Sequence, residues 1–259
     1  MEISFAELSA WLGGFVWPWL RVSGMLIVAP LFANTQVPAR VSVLLGLALS
    51  VAILPAVGPV PEVDFLSLTA MIIAVQQILI GFSIGLMLAL AFAAAIIAGE
   101  SIAYSMGLGF ATMVDPQGGH TMPIISQFFQ IVATLLFLAM GGHLMLIELL
   151  AESFVGMPVG TTGIGADEMW LVIGWASEMF AGAVLIALPS VVVLLLTNLA
   201  LGVMTRTAPQ MNIFSVGLPV TMLLGFVVIL TLTMPALGPR MAQLWSEVFA
   251  AVRLLLGTG

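Results

Sequence analysis

Residues Phe65 to Gly99 read FLSLTAMIIAVQQILIGFSIGLMLALAFAAAIIAG, a run of 35 residues without a charged side chain. About 20 apolar residues suffice for a helix to cross the hydrocarbon core of a bilayer, so this run predicts a membrane helix. Only 7% of the 259 residues are charged, and none of them is lysine. Soluble proteins need about a quarter to a third charged residues at their surface. The chain is therefore predicted to be an integral membrane protein, or a protein whose apolar helices are covered by apolar neighbours.

The rest of the chain repeats this apolar character. We predict an all-α, polytopic fold in a single domain over residues 1–259, with six apolar segments. A seventh helix, Arg240–Leu256, alternates polar and apolar positions, as an amphipathic helix at the membrane interface does. The six segments are Trp11–Phe32, Val41–Val57, Phe65–Ala98, Ile124–Leu150, Trp170–Leu201 and Ile213–Leu237.

The third and fifth segments are longer than a bilayer requires. As straight helices they would measure about 45 Å, against about 30 Å of hydrocarbon, so they must tilt, break or project beyond the bilayer. One interpretation of the Gly81 and Gly85 pair and of Pro189 is a helix break, because proline removes a helical donor. The alternative is that glycine and proline are simply commoner in membrane helices. Amide side chains inside the segments are expected to bond across interfaces between helices. These amides are Gln76, Gln77, Gln127, Gln130 and Asn198.

Composition excludes several classes of function. The chain has no cysteine, which excludes disulfides and thiolate metal sites, and a net charge of −7 argues against a nucleic-acid partner. His120 and His143 are the only histidines and lack the spacing of a metal motif. Glu148 and Glu152 share a helix face, which predicts a solvated acidic surface, with a proton relay as the alternative. No enzyme activity, metal or cofactor is expected.

The stretch from Gly99 to Pro123 differs from its surroundings. It holds five glycines and two prolines in 25 residues, which argues against a continuous regular element. An irregular apolar segment must be buried in protein or line a cavity, and methionine adapts to variable shapes. It is either a loop packed on its own helix ends or a deformable plug in a conduit. The candidate plug and gating residues are Met106, Gly107, Leu108, Gly109, Phe110, Met113, Gly118, Gly119 and Met122.

Two arginines stand beside apolar segments. Arg206 follows the fifth segment, where a cation meets the negative end of a helix dipole. Arg21 lies inside the first segment, and such a residue either faces the interior of a bundle or extends to the nearer membrane surface.

Three clusters of residues, taken in order, resemble the FliR family of flagellar biosynthetic proteins, the R subunits of type III export gates, and its virulence-associated relatives. Any one cluster is weak evidence, but their order and spacing cover nearly the whole chain. For these residues the resemblance implies structural and assembly roles. They are Arg21, Pro30, Phe32, Pro38 and Arg40; then Gly99, Glu100, Asp115 and Pro116; then Gly202, Arg206, Pro209, Gln210, Asn212, Phe214 and Pro219.

The resemblance implies a core subunit of the flagellar export gate, assembled with FliP and FliQ subunits and near FlhB and FlhA. Unfolded flagellar proteins would pass through that complex in the bacterial inner membrane, at the flagellar basal body. A loop like that of residues 104–122 would help to plug the closed pore. The alternatives are a polytopic secondary transporter for a small solute, in which glycine and proline breaks form a midplane site, and an assembly scaffold without a conduit.

Overall fold

The computed structural model describes residues 5–32, 38–65, 67–109, 122–208 and 213–258, with the backbone alone for residues 5–12, 213 and 214. Those ranges contain α-helices, π-helical turns and a short 3-10 helix, and no strand, which confirms the all-α prediction. The α-helices are α1 Phe5–Val28, α2 Ala39–Ile53, α3 Leu68–Ser105, α4 Ile124–Ala139, α5 Gly142–Gly156, α6 Ala166–Gly174, α7 Ala176–Thr207, α8 Leu218–Val228 and α9 Met234–Leu256. The 3-10 helix is Leu54–Ala56, and the π-helical turns are Ile213–Gly217 and Ile229–Thr233.

Several helical stretches are long and apolar enough to cross a membrane. Among the described residues four qualify: Ala39–Ala56, Leu68–Ser105, Ala166–Thr207 and Ser215–Leu256. A fifth is added if α4 and α5 together form one span. The polytopic character predicted from hydropathy is therefore confirmed.

The chain divides into two compact units. Unit 1 comprises Met1–Leu90, Met140–Ala176 and Trp245–Gly259, and unit 2 comprises Ala91–Ala139 and Ser177–Leu244. Helices α3 and α9 each contribute residues to both units.

In unit 1, helices α1 and α3 touch backbone to backbone through glycines. A Cβ on Gly81 would lie 1.8 Å from the carbonyl oxygen of Arg21, and one on Gly85 would lie 2.6 Å from that of Met25. From the other helix, a Cβ on Gly24 would lie 2.5 Å from the carbonyl oxygen of Ile78. The expected break at Gly81 and Gly85 is therefore wrong: α3 is continuous, and its glycines serve as the small residues that let two membrane helices approach closely.

The breaks occur elsewhere in the chain. The fourth segment is divided at Gly141, which has a φ of 72° and so a left-handed conformation that glycine adopts without strain. The fifth segment is divided at Trp175, whereas α7 continues through Pro189. A proline removes one donor, and neighbouring protein in a helical bundle compensates for that loss. The expected break at Pro189 is therefore wrong.

The last two predicted elements form one helical stretch, Ser215–Leu256. Helix α9 begins at Met234 and not at Arg240, because Pro239 lies inside it without ending it. Its two faces differ as predicted for an amphipathic helix, with Arg240, Gln243 and Glu247 exposed. The opposite face is buried and consists of Leu237, Met241, Leu244, Trp245, Val248, Phe249, Val252, Leu255 and Leu256.

Candidate functional site

Helix α3 ends in a defined capping structure at the start of the methionine-bearing loop. The N–H of Gly107 donates to the carbonyl of Tyr104, and the N–H of Leu108 donates to that of Ala103, both at 3.0 Å. Gly107 has a φ of 85°, so the pattern is a Schellman motif with glycine in the left-handed position. The prediction of an irregular segment from Gly99 onward is therefore wrong for residues 99–105. They are helical, because the C-terminal stop signal is Gly107.

Helix α8 holds this end of α3 within unit 2. The side chain of Met106 is fully buried, and a Cβ on Gly225 would lie 2.5–2.6 Å from its Cγ, Cε and Sδ atoms. The hydroxyl of Thr221 lies 3.2 Å from the carbonyl oxygen of Met106 and 3.0 Å from that of Leu218, within donating distance of both. A Cβ on Gly107 would lie 2.6 Å from Cδ2 of Leu218. The thioether therefore fills a space that exists because residue 225 has no side chain.

Helix α7 adds a polar contact to the same end of α3. The amide nitrogen of Asn198 donates to the carbonyl oxygen of Ser105 at 2.9 Å. That oxygen belongs to the last turn of α3, where carbonyls lack a helical partner. We call Asn198, Leu218, Thr221 and Gly225 together the Met106 site.

The described chain resumes at Met122, just before α4. Met122 is exposed, and Pro123 is buried just before α4 begins. A Cβ on Gly99 would lie 2.7 Å from the Cα of Ser126, so α3 and α4 pass each other in backbone contact within unit 2. Gly99, predicted as a structural residue, thus lies where any larger residue would force the two helices apart.

The structure describes part of the predicted plug. Met106, Gly107, Leu108, Gly109 and Met122 are described, and the first of these is a fully buried anchor. The remaining predicted plug residues lie outside the described residues, as do several residues of the other clusters. These are Phe110, Met113, Gly118 and Gly119, with Asp115, Pro116, His120, Pro209, Gln210 and Asn212; Phe214 is described by its backbone in the first π-helical turn.

Three residues of the Met106 site, Leu218, Thr221 and Gly225, were missed by sequence reasoning, although a signal was present. Thr221 and Gly225 are four residues apart, so they share one face of a helix, together with Leu218 three residues earlier. In the run TMLLGFVV of residues 221–228, Thr221 is the polar residue and Gly225 is the residue without a side chain. A polar residue and a glycine on one face of an apolar helix indicate a close contact.

Arg21 is the centre of a second constellation, in unit 1. Its side chain is fully buried, which places it in the interior of the unit rather than at a membrane surface. Nε donates to Oε1 of Gln77 at 2.8 Å, and Nη1 donates to the carbonyl oxygen and hydroxyl of Ser153 at 2.7 and 3.0 Å. Nη2 donates to the carbonyl oxygen of Met157 at 2.8 Å. The guanidinium carbon lies 3.9 Å from the ring centroid of Phe154.

These acceptors are neutral, and the helix itself supplies the compensating negative charge. The carbonyls of Ser153 and Met157 lie at the C-terminal end of α5, where the helix dipole is negative, and that of Ser153 also accepts from the N–H of Met157. The side chain of Arg21 therefore caps this end of α5 and connects it to α1 and α3. The interhelical role predicted for Gln77 is confirmed by its bond to Arg21. Oε1 of Gln76 instead accepts from the N–H of Ile164, in the connection between α5 and α6, at 3.1 Å.

The other predicted structural residues lie at turns and helix ends. Pro30 and Phe32 form the turn after α1, Pro38 precedes α2, and Arg40 is exposed in its first turn. Glu100 is half-buried on α3, and Gly202 and Arg206 are exposed in the last turns of α7. Pro219 is exposed in the first turn of α8, where its missing N–H is tolerated.

The acidic pair on α5 has a simple electrostatic arrangement. Glu152 accepts from Nε of Arg253 at 3.1 Å, with both side chains about one-third exposed. Glu148 is exposed one turn earlier. Among the described residues, no group of three or more His, Asp or Glu side chains could hold a metal ion.

Similar proteins cover nearly the whole chain. The model of the family described as "Bacterial export proteins, family 1" matches residues 12–248. The flagellar biosynthetic protein FliR of Escherichia coli (strain K12) is 38% identical over 249 residues, which cover 96% of this chain and 95% of that protein. That of Aquifex aeolicus is 36% identical, with 89% of each chain covered. That of Bacillus subtilis is 30% identical, covering 83% of this chain and 84% of the relative.

Proposed function

The chain belongs to family 1 of the bacterial export proteins, and on that premise we propose that it is a core subunit of the flagellar type III export gate. It is a component of flagellar export, because its relatives of 30–38% identity over most of their length are flagellar biosynthetic proteins. The finer proposal is that it joins FliP and FliQ subunits in a conduit for unfolded flagellar proteins. We place that conduit in the inner membrane, at the basal body, near FlhB and FlhA.

The exposed apolar surface supports assembly with other subunits. Helix α7 is 32 residues long, about 48 Å at 1.5 Å per residue, and α3 is longer still with 38 residues. Both exceed a hydrocarbon core of about 30 Å, so a helix of this length standing upright would extend beyond the lipid. Large apolar side chains nevertheless remain exposed along α7, including Phe180, Val184, Leu188, Leu195, Leu199 and Val203. Neighbouring apolar subunits are the natural cover for the part that leaves the bilayer, with lipid covering the rest.

The proposed role of the loop is to seal the closed conduit. An apolar constriction excludes water and ions by dewetting, and a seal made of methionine and phenylalanine adapts to passing side chains of different shapes. The Met106 site supports this role, because a plug needs one end fixed to the rigid part of the molecule. The mechanism is gating and not catalysis, and it uses no cofactor. Membership in an export family favours it over transport of a small solute.

Deletion of residues 107–119 tests the plug. Cells carrying the deletion should become permeable to small ions while keeping some export of flagellar proteins, because the seal is lost and the conduit remains. Ion permeability is measured with the assembled complex present. The matched control deletes residues 58–61, which lie between α2 and α3 in unit 1 and should leave permeability unchanged. Unchanged permeability in the loop deletion, with the complex assembled, rejects the plug role.

Substitutions in the third cluster test assembly. Arg206→Ala or Pro209→Leu should weaken incorporation, because this cluster connects two apolar helices and carries one of the five cations. Incorporation is measured by co-purification with the FliP and FliQ subunits. Arg240→Ala, which removes another exposed arginine on α9, is the control. Equal recovery of all three variants would show that the third cluster does not contribute to the assembly interface.

A further inference from the structure

Helix α8 lies between two π-helical turns, and each turn is followed by a proline at the same distance. Pro219 is the second residue after Ile213–Gly217, and Pro235 is the second after Ile229–Thr233. In the second turn the N–H of Met234 donates to the carbonyl of Ile229, five residues back, as in a π-helix. Proline lacks the N–H that an α-helical bond requires and crowds the carbonyl four residues before it. A wider turn ahead of each proline accommodates both effects.

A π-helical turn holds one more residue than the α-helical turn it replaces, so it makes a helix register variable. When such a turn moves along a helix, the residues that it passes rotate about the helix axis by about 100°, the angle between consecutive residues. Movement of the turn at Ile229–Thr233 into α8 would therefore change which residue faces Met106. Gly225 would be replaced there by one of its neighbours, Leu224 or Phe226.

The contacts of the Met106 site form in only one register of α8. The atoms of Met106 lie 2.5–2.6 Å from the position of a Cβ on residue 225, so even an alanine would overlap with the thioether. Leucine or phenylalanine at that place would expel it, and Thr221 would lose its contact with the carbonyl oxygen of Met106. The two registers of α8 thus correspond to a held and a released Met106.

One buried hydrogen bond fixes the present register. Thr233, inside the second π-helical turn, and Ser190 on α7 are fully buried, and their hydroxyls are hydrogen-bonded to each other. Thr231 lies in the same turn, but it is exposed and its hydroxyl donates to the carbonyl of Val227 in the same helical stretch. Thr233 therefore connects the turn to α7, whereas Thr231 does not.

From this geometry we propose that α8 is a register switch that holds Met106 and Gly107 in the closed state and releases them when the π-helical turn moves. The functional consequence rests on the proposed role of the loop as a plug: release of its first residues permits the plug to leave the conduit. Asn198, Thr221 and Gly225 are positioning residues for the loop and do not contact the exported chain in this scheme.

The chain has no cysteine, so an introduced pair is unique. In the Met106→Cys/Gly225→Cys variant, two thiols replace the thioether in the space between α3 and α8, and their disulfide fixes the closed register. The full chain is tested in membranes, in its complex with partner subunits, and disulfide formation is counted by thiol labelling after reduction. Oxidation should abolish export and reduction should restore it, while the unsubstituted chain, which has no cysteine, keeps exporting under the same oxidation. Undiminished export from fully oxidised complexes overturns the switch.

A second pair of variants leaves the Met106 site intact. Thr233→Val in the reduced double-cysteine chain should raise the rate of thiol labelling about fivefold, because the reagent reaches the two thiols in the released register and one lost hydrogen bond multiplies the ratio of released to closed registers by about five. Thr231→Val should not. If the double-cysteine chain fails to assemble, the two valine variants are compared for ion leak in the otherwise unchanged chain, and only Thr233→Val should leak. Equal behaviour of the two valine variants rejects the proposal.

Different results reject the plug proposal and the register-switch proposal. If deletion of residues 107–119 causes no leak but the disulfide blocks export, the switch stands without the plug. If that deletion causes leak but the oxidised chain exports normally, the plug stands and the switch is rejected.

Discussion

Substitution of Gly81 by alanine should separate helices α1 and α3. The new Cβ would lie 1.8 Å from the carbonyl oxygen of Arg21, whereas real Cβ contacts do not fall below 3.0 Å. Both groups belong to helix backbones, so rotation of a side chain cannot relieve the overlap. The helices must move apart locally by at least about 1.2 Å, and a gap of about 1 Å already removes about half of the dispersion energy between facing atoms.

The expected cost is about 1–3 kcal/mol, as for other overpacked interiors. The displacement also moves the backbone of Arg21, whose side chain holds acceptors at 2.7–3.0 Å, so its bonds to α3 and α5 lengthen together. The thermal midpoint of the purified export complex should fall by about 2–10 °C. Incorporation of the chain into the complex should fall with it.

Gly14→Ala is the matched control on α1. A Cβ on Gly14 meets no atom within 4 Å. Alanine there adds helix propensity of up to about 1 kcal/mol and should leave the midpoint unchanged or slightly raised. If the Gly81→Ala and Gly14→Ala chains have the same thermal midpoint and enter the complex equally well, the backbone contact between α1 and α3 is absent from the native complex and the reasoning is refuted.

Three further predictions concern charges and a second helix contact. Arg21→Lys should destabilise unit 1 by about 1–3 kcal/mol for each buried acceptor left unpaired, because an ammonium cannot reproduce the planar fork of the guanidinium. Thermal unfolding measures this loss. The control Arg40→Lys, at an exposed position, should change the free energy of unfolding by no more than about 0.5 kcal/mol. Gly99→Ala should impair incorporation, measured by co-purification, because its Cβ would meet the α4 backbone at 2.7 Å. Glu152→Gln should cost less than about 1 kcal/mol, since its pairing with Arg253 is partly solvated, and the difference should vanish in about 1 M salt; a large effect that survives in salt would contradict this.

The sequence sufficed for the helical class and for the approximate positions of the helices, because long charge-free runs are a direct consequence of a membrane environment. It located the breaks poorly. In helices where nearly every position is apolar, the periodicity that separates a buried face from an exposed one is weak, and glycine and proline remain as signals. Those residues have two opposite uses here. Gly141 adopts a left-handed conformation and ends a helix, whereas Gly81 lies inside a continuous helix and permits contact with Arg21.

The candidate site was predictable in part. The methionine and glycine content of the loop pointed to Met106 and Gly107, and the amides inside apolar segments pointed to Gln77 and Asn198. The partners were not predictable, since Met106 meets Gly225 across 119 positions of the chain and Arg21 meets Met157 across 136. Pairing over such distances depends on the packing of whole helices, which one sequence does not encode in a local pattern.

The bonds of Arg21 also set an order of events on the ribosome. Ser153 and Met157 are synthesised 132 and 136 residues after it, roughly 7–27 s at about 5–20 residues per second. Until then an arginine side chain at mid-membrane depth would cost at least about 2.5–3.5 kcal/mol, so the first helix has to wait with this group near water or lipid head groups. The final position of α1 thus depends on a segment from the second half of the polypeptide, and truncation before that segment leaves Arg21 without these acceptors.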